Sequence, residues 1–325
     1  MITIYQKKNN IIKPTVLSNC GEIPSDAVWI DLQAPTEDEI KALEIKLAIQ
    51  IPSKKEEWKN QVLNRLYVQN GVAYMTAAII TKVESPYPRT IPFTFIVTPD
   101  YLLTIHEITP TSFMNFAQRL QKSNEVFLDS SYLLCGLLEE IIIRVAHNSE
   151  IVVNSLDELS HSIFGEHVLE EKVKKPSQLM KNILKNLGAS ADLNSKINES
   201  LHSISRLINF FKQALPVDKN LGTILDVLVT DTTALTKQSQ FLSDKVIFQL
   251  DATIGMISIE QNLISKIFSV VTVFFLPPTM VAGIYGMNFQ HMPELGLIYG
   301  YPLVLSFMFI LAITPYLYFR KKGWL

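Results

Sequence analysis

Charge is scarce in this sequence, and in two places it is missing altogether. The chain has 325 residues, of which 18 % are charged, a low share for a soluble protein of that size. No Asp, Glu, Lys or Arg occurs from Ile267 to Ile284 or from Leu295 to Phe319. Each run is long enough to cross a hydrocarbon core about 30 Å thick, so the pair is expected to form two transmembrane helices rather than core helices. The link between them has no Lys or Arg, whereas Lys266 precedes the first run and Arg320, Lys321 and Lys322 follow the second. By the positive-inside rule both termini then face inward and "GMNFQHMPE" faces out.

Other absences narrow the function. Two cysteines, Cys20 and Cys135, cannot build a disulfide framework, and no CxxC or paired Cys/His spacing suggests zinc. There is no P-loop, GxSxG or HExxH, and His106, His147, His161, His167 and His202 show no ligand spacing. The expectation is not an enzyme, and no organic cofactor. A net charge of −2 gives no reason to expect nucleic acid. The opening "MITIYQKKNN" lacks the apolar core of a signal peptide, which predicts a cytosolic location for the first ~260 residues. With no transit peptide, a bacterial inner membrane is expected.

What is present reads first as mixed α/β. "VWIDL" (Val28 to Leu32) predicts a strand, and Thr36 and Glu39 have the spacing of a capping box. Asn70 and Gly71 lie between two apolar stretches, a hairpin signal because both tolerate positive φ. "FTFIVTPDYLLTIHE" repeats the pattern around Pro99 and Asp100, and a helix is expected from Thr111 to Leu120. Helices are expected over 130 to 165 and roughly 177 to 214, in a region rich in Glu and Asp that reads as a solvated face or as a cation-attracting surface. After Pro216 and Gly222, Leu221, Leu228, Leu235 and Leu242 recur every seven residues, predicting a helix that packs on copies of itself or on its neighbours. From Leu221 to Ile284 that helix would be about 95 Å long.

One face of it reads Asp251, Gly255, Ser258, Asn262, Ser265, Phe268, Thr272, Leu276, Thr279, Gly283; the opposite side carries Ile254, Ile257, Ile264, Val271 and Phe274. Small and hydroxyl residues in a membrane helix serve close packing as well as a pore, and the residues leave both open. A pore needs several subunits around an axis, since two spans cannot enclose water. In it Phe268 and Leu276 would form apolar rings that close by dewetting, with Thr279 and Gly283 in a wider section. Neither span has an ionisable residue, which argues against a proton relay.

"YGMNF" (Tyr285 to Phe289) and "MPEL" (Met292 to Leu295), after "GMISIEQN" and "SVVTVFFLPPTMVAGIYG" and before "YFRKKGWL", resemble the CorA family of divalent-cation channels. The resemblance covers about the last 80 residues closely; "WIDLQAP" is the best local echo upstream. It implies a homopentamer shaped as a cytosolic funnel, the first transmembrane helix lining the pore. Gly286, Met287 and Asn288 would form the outer mouth, with five Asn288 amides offering oxygens to hydrated Mg²⁺ and Glu294 raising the local cation concentration. It also implies that cytosolic Mg²⁺ closes the channel by bridging carboxylates. Asp226, Asp231, Asp244 and Asp251 lie along the stalk, and Asp251, on the pore stripe, and Asp226 are the candidate regulatory ligands.

The expected architecture is therefore α+β: a cytosolic mixed α/β domain (1–145), an acidic helical hairpin (146–218), a stalk running into the pore-lining span (219–286, membrane part about 266–286), an outer loop (287–297), a second span (298–319) and a basic tail (320–325). The expected function is passive, potential-driven Mg²⁺ uptake, with Co²⁺ and Ni²⁺ also admitted; partners are further copies of the chain, lipid and divalent cations. The competing readings are a zinc transporter of the same superfamily, whose loop would depart from GMN and MPEL, and a membrane-anchored scaffold.

Overall fold

The computed structural model describes residues 1–8, 11–17, 23–52, 66–85, 87–122, 129–165, 176–287 and 292–322. Two compact units emerge, Met1–Leu250 and Asp251–Leu325. In the first, strands β1 (Ile2–Lys8), β2 (Ile11–Leu17), β3 (Ala27–Gln33), β4 (Leu66–Gln69), β5 (Val72–Thr81), β6 (Arg89–Val97) and β7 (Leu102–His106) form one sheet in the order β2-β1-β3-β7-β6-β5-β4. Every pairing is antiparallel except β3 with β7.

Local chemistry sets the turns. Asn70 and Gly71 adopt φ of 52° and 78° between β4 and β5, the conformation that a two-residue hairpin requires. Thr36 caps α1 (Glu37–Leu47): its hydroxyl accepts from the Glu39 amide, and the Glu39 carboxylate accepts from the Thr36 amide. Pro92 sits in β6 beyond the end of its pairing with β7, where a missing N–H costs nothing. β4 covers only the first part of β5, and beyond it Ser203 accepts a bond from the Ala78 N–H at 2.8 Å, blunting that edge.

Alternation along β3 divides its side chains between the sheet's two faces. Ile30 and Leu32 join Ile4, Leu103, Ile40 and Leu43 in the core beneath α1. Trp29 and Asp31 point the other way. Trp29 stacks on Tyr5 and meets Phe113 and Phe116 of α2 (Thr111–Lys122). Its indole N–H donates to Thr104 Oγ1 at 2.9 Å, Thr104 donates to Asp31 Oδ1 at 2.5 Å, and His106 Nε2 lies 2.9 Å from the same oxygen. All four residues are buried, so Asp31 is the shared acceptor of the cluster. Asp31→Ala strands the His106 and Thr104 donors, and a loss of about 3 kcal/mol is expected as a lower melting temperature of the purified protein.

Helices α3 (Ser130–Phe164), α4 (Pro176–Ala214) and α5 (Lys219–Tyr285) complete this unit, α5 continuing into the second. α3 passes unbroken through residue 145, where the sequence reading puts a domain boundary. α5 begins at Lys219 and takes in Gly222. Asp218 caps it, accepting from Leu221 N at 3.0 Å through its side chain and from Gly222 N at 2.9 Å through its carbonyl, so the glycine is held inside the first turn. Leu221, Leu225, Leu228, Leu242 and Val246 are buried, but the middle of the stripe is polar: Thr232 and Ser239 are fully buried while Leu235 is only partly so. Asn194 of α4 explains it, donating to Ser239 O and Ser243 Oγ and accepting from Ser239 Oγ.

Burial also raises several acid groups. It pushes the Cys135 thiol up to about 12, with Glu139 adding to it, and the Tyr5 and Tyr101 phenols up to about 12. Folded-state values above the unfolded ones mean that the folded chain holds protons the unfolded chain gives up. Stability is thus intact below pH 9 and falls between pH 9 and 12, by up to about 1.4 kcal/mol per pH unit per group. Thermal melts at pH 8 and pH 10.5 are expected to show the drop, and Cys135 to resist alkylation at pH 8 until the protein unfolds.

Candidate functional site

The second unit holds the end of α5, a 3₁₀ turn (Pro293–Gly296) and α6 (Gly300–Lys321). The apolar windows of α5 and α6 have mean hydropathy 2.0 and 1.8 and no buried residue; by length and composition each can cross a membrane. α5 runs through Pro277 and Pro278 to Tyr285. The prolines remove two backbone donors, leaving the carbonyls one turn earlier, at Val273 and Phe274, without their helical partners.

Every member of the small and polar stripe, from Asp251 through Asn262, Ser265 and Thr272 to Gly283, is exposed on the single chain, including Phe268 at 68 % and Leu276 at 62 %. A Cβ added at Gly255 or Gly283 would meet no neighbour. Thr272, Leu276 and Thr279 line one concavity, joined by Phe275 and Met280. Those last two lie off the stripe in the sequence, and the i, i+4 rows Thr272–Leu276–Met280 and Phe275–Thr279 are the signals that find them. The hydroxyls donate to the helix's own carbonyls: Ser258 to Ile254 at 3.0 Å, Thr272 to Phe268 at 2.8 Å and Thr279 to Phe275 at 2.7 Å. Their protons are thereby used, and the oxygen lone pairs are what each presents outward.

At the far end of α5, Gly286 N donates to Ala282 O at 2.9 Å and Met287 N to Ile284 O at 3.2 Å. An added Cβ at Gly286 would stand 3.2 Å from the Ala282 carbonyl oxygen, so close approach rather than a left-handed backbone is what favours glycine there. Met287 is half exposed. Asn288 lies outside the described residues. Glu294 falls within the 3₁₀ turn.

The two stalk carboxylates differ. Asp226 is ion-paired with Lys212 of the same chain, whereas Asp251 is exposed on the stripe. Much of the acidic helical region is likewise matched internally, Glu139 and Glu140 by Arg119 and Asp157 by Lys245. Among the described residues, no three His, Cys, Asp or Glu side chains gather as a metal cluster. His106, without ligand spacing in the sequence, is part of the Asp31 cluster in the sheet.

Residues 24–321 match the family model described as CorA-like Mg²⁺ transporter protein. The chain is 32 % identical over 301 residues to the magnesium transport protein CorA of Haemophilus ducreyi, covering 93 % of each. It is 30 % identical over 327 residues to the protein of the same name from Escherichia coli K12, covering 100 % of both. Among solved structures, that of the complete CorA magnesium transporter from Methanocaldococcus jannaschii superposes with a TM-score of 0.78 at 20 % identity, over 100 % of this chain and 99 % of that one.

Proposed function

The chain belongs to the family of CorA-like Mg²⁺ transporter proteins, and from that premise we propose that it is a passive channel for Mg²⁺ uptake whose ion path follows the exposed stripe of α5. The observation that carries this reading is the continuity of the stripe: small or oxygen-bearing residues, interrupted only by Phe268 and Leu276, remain uncovered from Asp251 to Gly283. Five copies around an axis would cover it and enclose water, with both termini inside and the basic Arg320 to Lys322 at the inner surface.

Mg²⁺ gives up its water reluctantly and keeps several waters when bound. A path for the hydrated ion needs acceptors for the outward-pointing water protons, not a cage of carboxylates. The lone pairs of Ser258, Thr272 and Thr279 are of that kind. At the outer end a ring of Asn288 amide oxygens selects the ion by hydrogen-bonding its hydration shell, and Glu294 concentrates cations nearby. An inside-negative potential supplies about 4.6 kcal/mol per 100 mV to a divalent cation, so no coupled proton is required. Co²⁺ and Ni²⁺, also octahedral hydrates, follow the same route.

Closure by cytosolic Mg²⁺ falls to Asp251, free on the stripe. Asp226 serves only when it is released from Lys212. The test is Mg²⁺ uptake into proteoliposomes holding the purified protein, at set membrane potential, with Zn²⁺ and Co²⁺ as competitors. Potential-dependent Mg²⁺ flux blocked by Co²⁺ is expected. Zn²⁺ flux without Mg²⁺ flux would turn the assignment to zinc, and no flux of either ion would leave an anchored scaffold.

A further inference from the structure

A cavity of about 170 Å³ lies where the end of β5, the segment before α2 and the middle of α3 meet, well above the roughly 10–15 Å³ that one water needs. None of the residues lining it is acidic, and two are basic, Lys82 and Arg144. The ion-pair partner of Arg144 among the described residues is Glu84, at 3.3 Å and 87 % exposed, a weak surface pair that leaves most of the guanidinium donors for something else. Thr111 and Ser112, the first residues of α2, also line the cavity. Their amides precede the first intrahelical bonds, which run from Phe113 and Met114 to Pro110 O, and no acidic residue occupies that first turn. They are therefore the positive end of the helix.

Asn148, one turn beyond Arg144 on α3, points to a ligand independently. Asn148 is 1 % exposed, it lines this cavity, and neither its Nδ2 nor its Oδ1 has a hydrogen-bond partner among the described residues. A carboxamide buried with both ends unpaired is unfavourable until a ligand completes it. That ligand must accept from Nδ2 and also donate to Oδ1.

The structure assigns this cavity, we infer, to a protonated oxyanion of the monohydrogen phosphate type. Its bare oxygens face Arg144, Lys82 and the start of α2, and its P–OH donates to Asn148 Oδ1 while a phosphate oxygen takes the Nδ2 proton. Sulfate has the same shape and charge but no proton at neutral pH, so it satisfies only half of the carboxamide. The site stands apart from the ion path and does not depend on what the path carries.

Calorimetric titration of the detergent-solubilised full chain at pH 7 and constant ionic strength tests it, with inorganic phosphate, sulfate and ATP as separate titrants. Phosphate is expected to bind saturably and at least tenfold more tightly than sulfate. Asn148→Leu is expected to abolish that preference and weaken phosphate at least tenfold. Arg144→Gln, at a partly exposed position, is expected to weaken phosphate and sulfate alike and stands as the second variant should Asn148→Leu fail to fold. ATP binding in competition with phosphate identifies a nucleotide's terminal phosphate as a second source of the same group; ATP that does not bind leaves free phosphate as the ligand, and both results support the site. Absence of saturable phosphate binding to the wild type, equal affinity for sulfate, or unchanged binding in Asn148→Leu overturns it.

Discussion

Asn288→Ala is expected to reduce Mg²⁺ uptake into proteoliposomes at least a hundredfold while the protein remains folded and membrane-inserted. A hydrated divalent ion arriving at the outer mouth keeps its first water shell, and the interaction available to the protein is hydrogen bonding to that shell. Alanine would remove every acceptor of the proposed ring at once. A hundredfold loss corresponds to about 2.7 kcal/mol on the barrier, no more than one or two charge-assisted hydrogen bonds. Asn288→Asp makes the complementary case: it restores oxygens with charge, so entry of cations is kept while discrimination between Mg²⁺ and Co²⁺ falls. Full Mg²⁺ flux in Asn288→Ala, with the same ranking of competing ions, would remove the proposed selective mouth. The melting temperature is expected to be unchanged in Asn288→Ala, which separates loss of transport from loss of protein.

The parts of the fold that the sequence discloses are the ones decided within a few residues. The Thr36 and Glu39 capping box, the Asn70–Gly71 turn and the apolar runs of α5 and α6 depend on neighbours three, one and twenty positions away, and each stands where the pattern places it. The parallel pairing of β3 with β7 joins residues such as Asp31 and Thr104, 73 positions apart, and nothing local in either strand announces the other. The stalk helix shows the same limit. Its leucine heptad is readable, but the exchange of apolar for polar burial at Thr232 and Ser239 depends on Asn194, 45 residues before Ser239. Gly222 works in the opposite sense: glycine normally signals a boundary, and here it lies inside the first turn that the Asp218 cap fixes. At the site, the spacing of the stripe is legible because a helix repeats every 3.6 residues. Its chemistry is not, since the sequence cannot say that the Thr272 and Thr279 hydroxyl protons are spent on Phe268 and Phe275. The carboxylates proposed as regulatory are the least legible of all, because Asp226 and Asp251 look alike until the Lys212 partner of one is seen.

Leu276→Ser is expected to raise ion flux under conditions that otherwise close the path, about tenfold or more at millimolar Mg²⁺ on the side of the N-terminal unit. Leu276 is one of the two bulky apolar side chains on the stripe and is 62 % exposed on the single chain, with Thr272 on the turn before it and Thr279 on the turn after it. In a ring of five copies it would be a short apolar collar between hydroxyl-lined sections, and such a collar empties of water when it narrows. Serine keeps the Cβ and replaces the three apolar carbons beyond it by one hydroxyl. Its proton is taken by the carbonyl one turn back, as at Thr272, so its lone pairs hold water across the constriction. The collar then cannot dry, and closure loses its barrier without any change at the mouth, so the ranking of Mg²⁺ over Zn²⁺ is kept. Val271→Ser is the control: Val271 lies on the opposite side of the same helix, and an equal change of polarity there is expected to leave flux at the wild-type level. If the two variants leak equally, or if Leu276→Ser conducts no more than the wild type in high Mg²⁺, the stripe is a packing surface between helices and the ion path lies elsewhere.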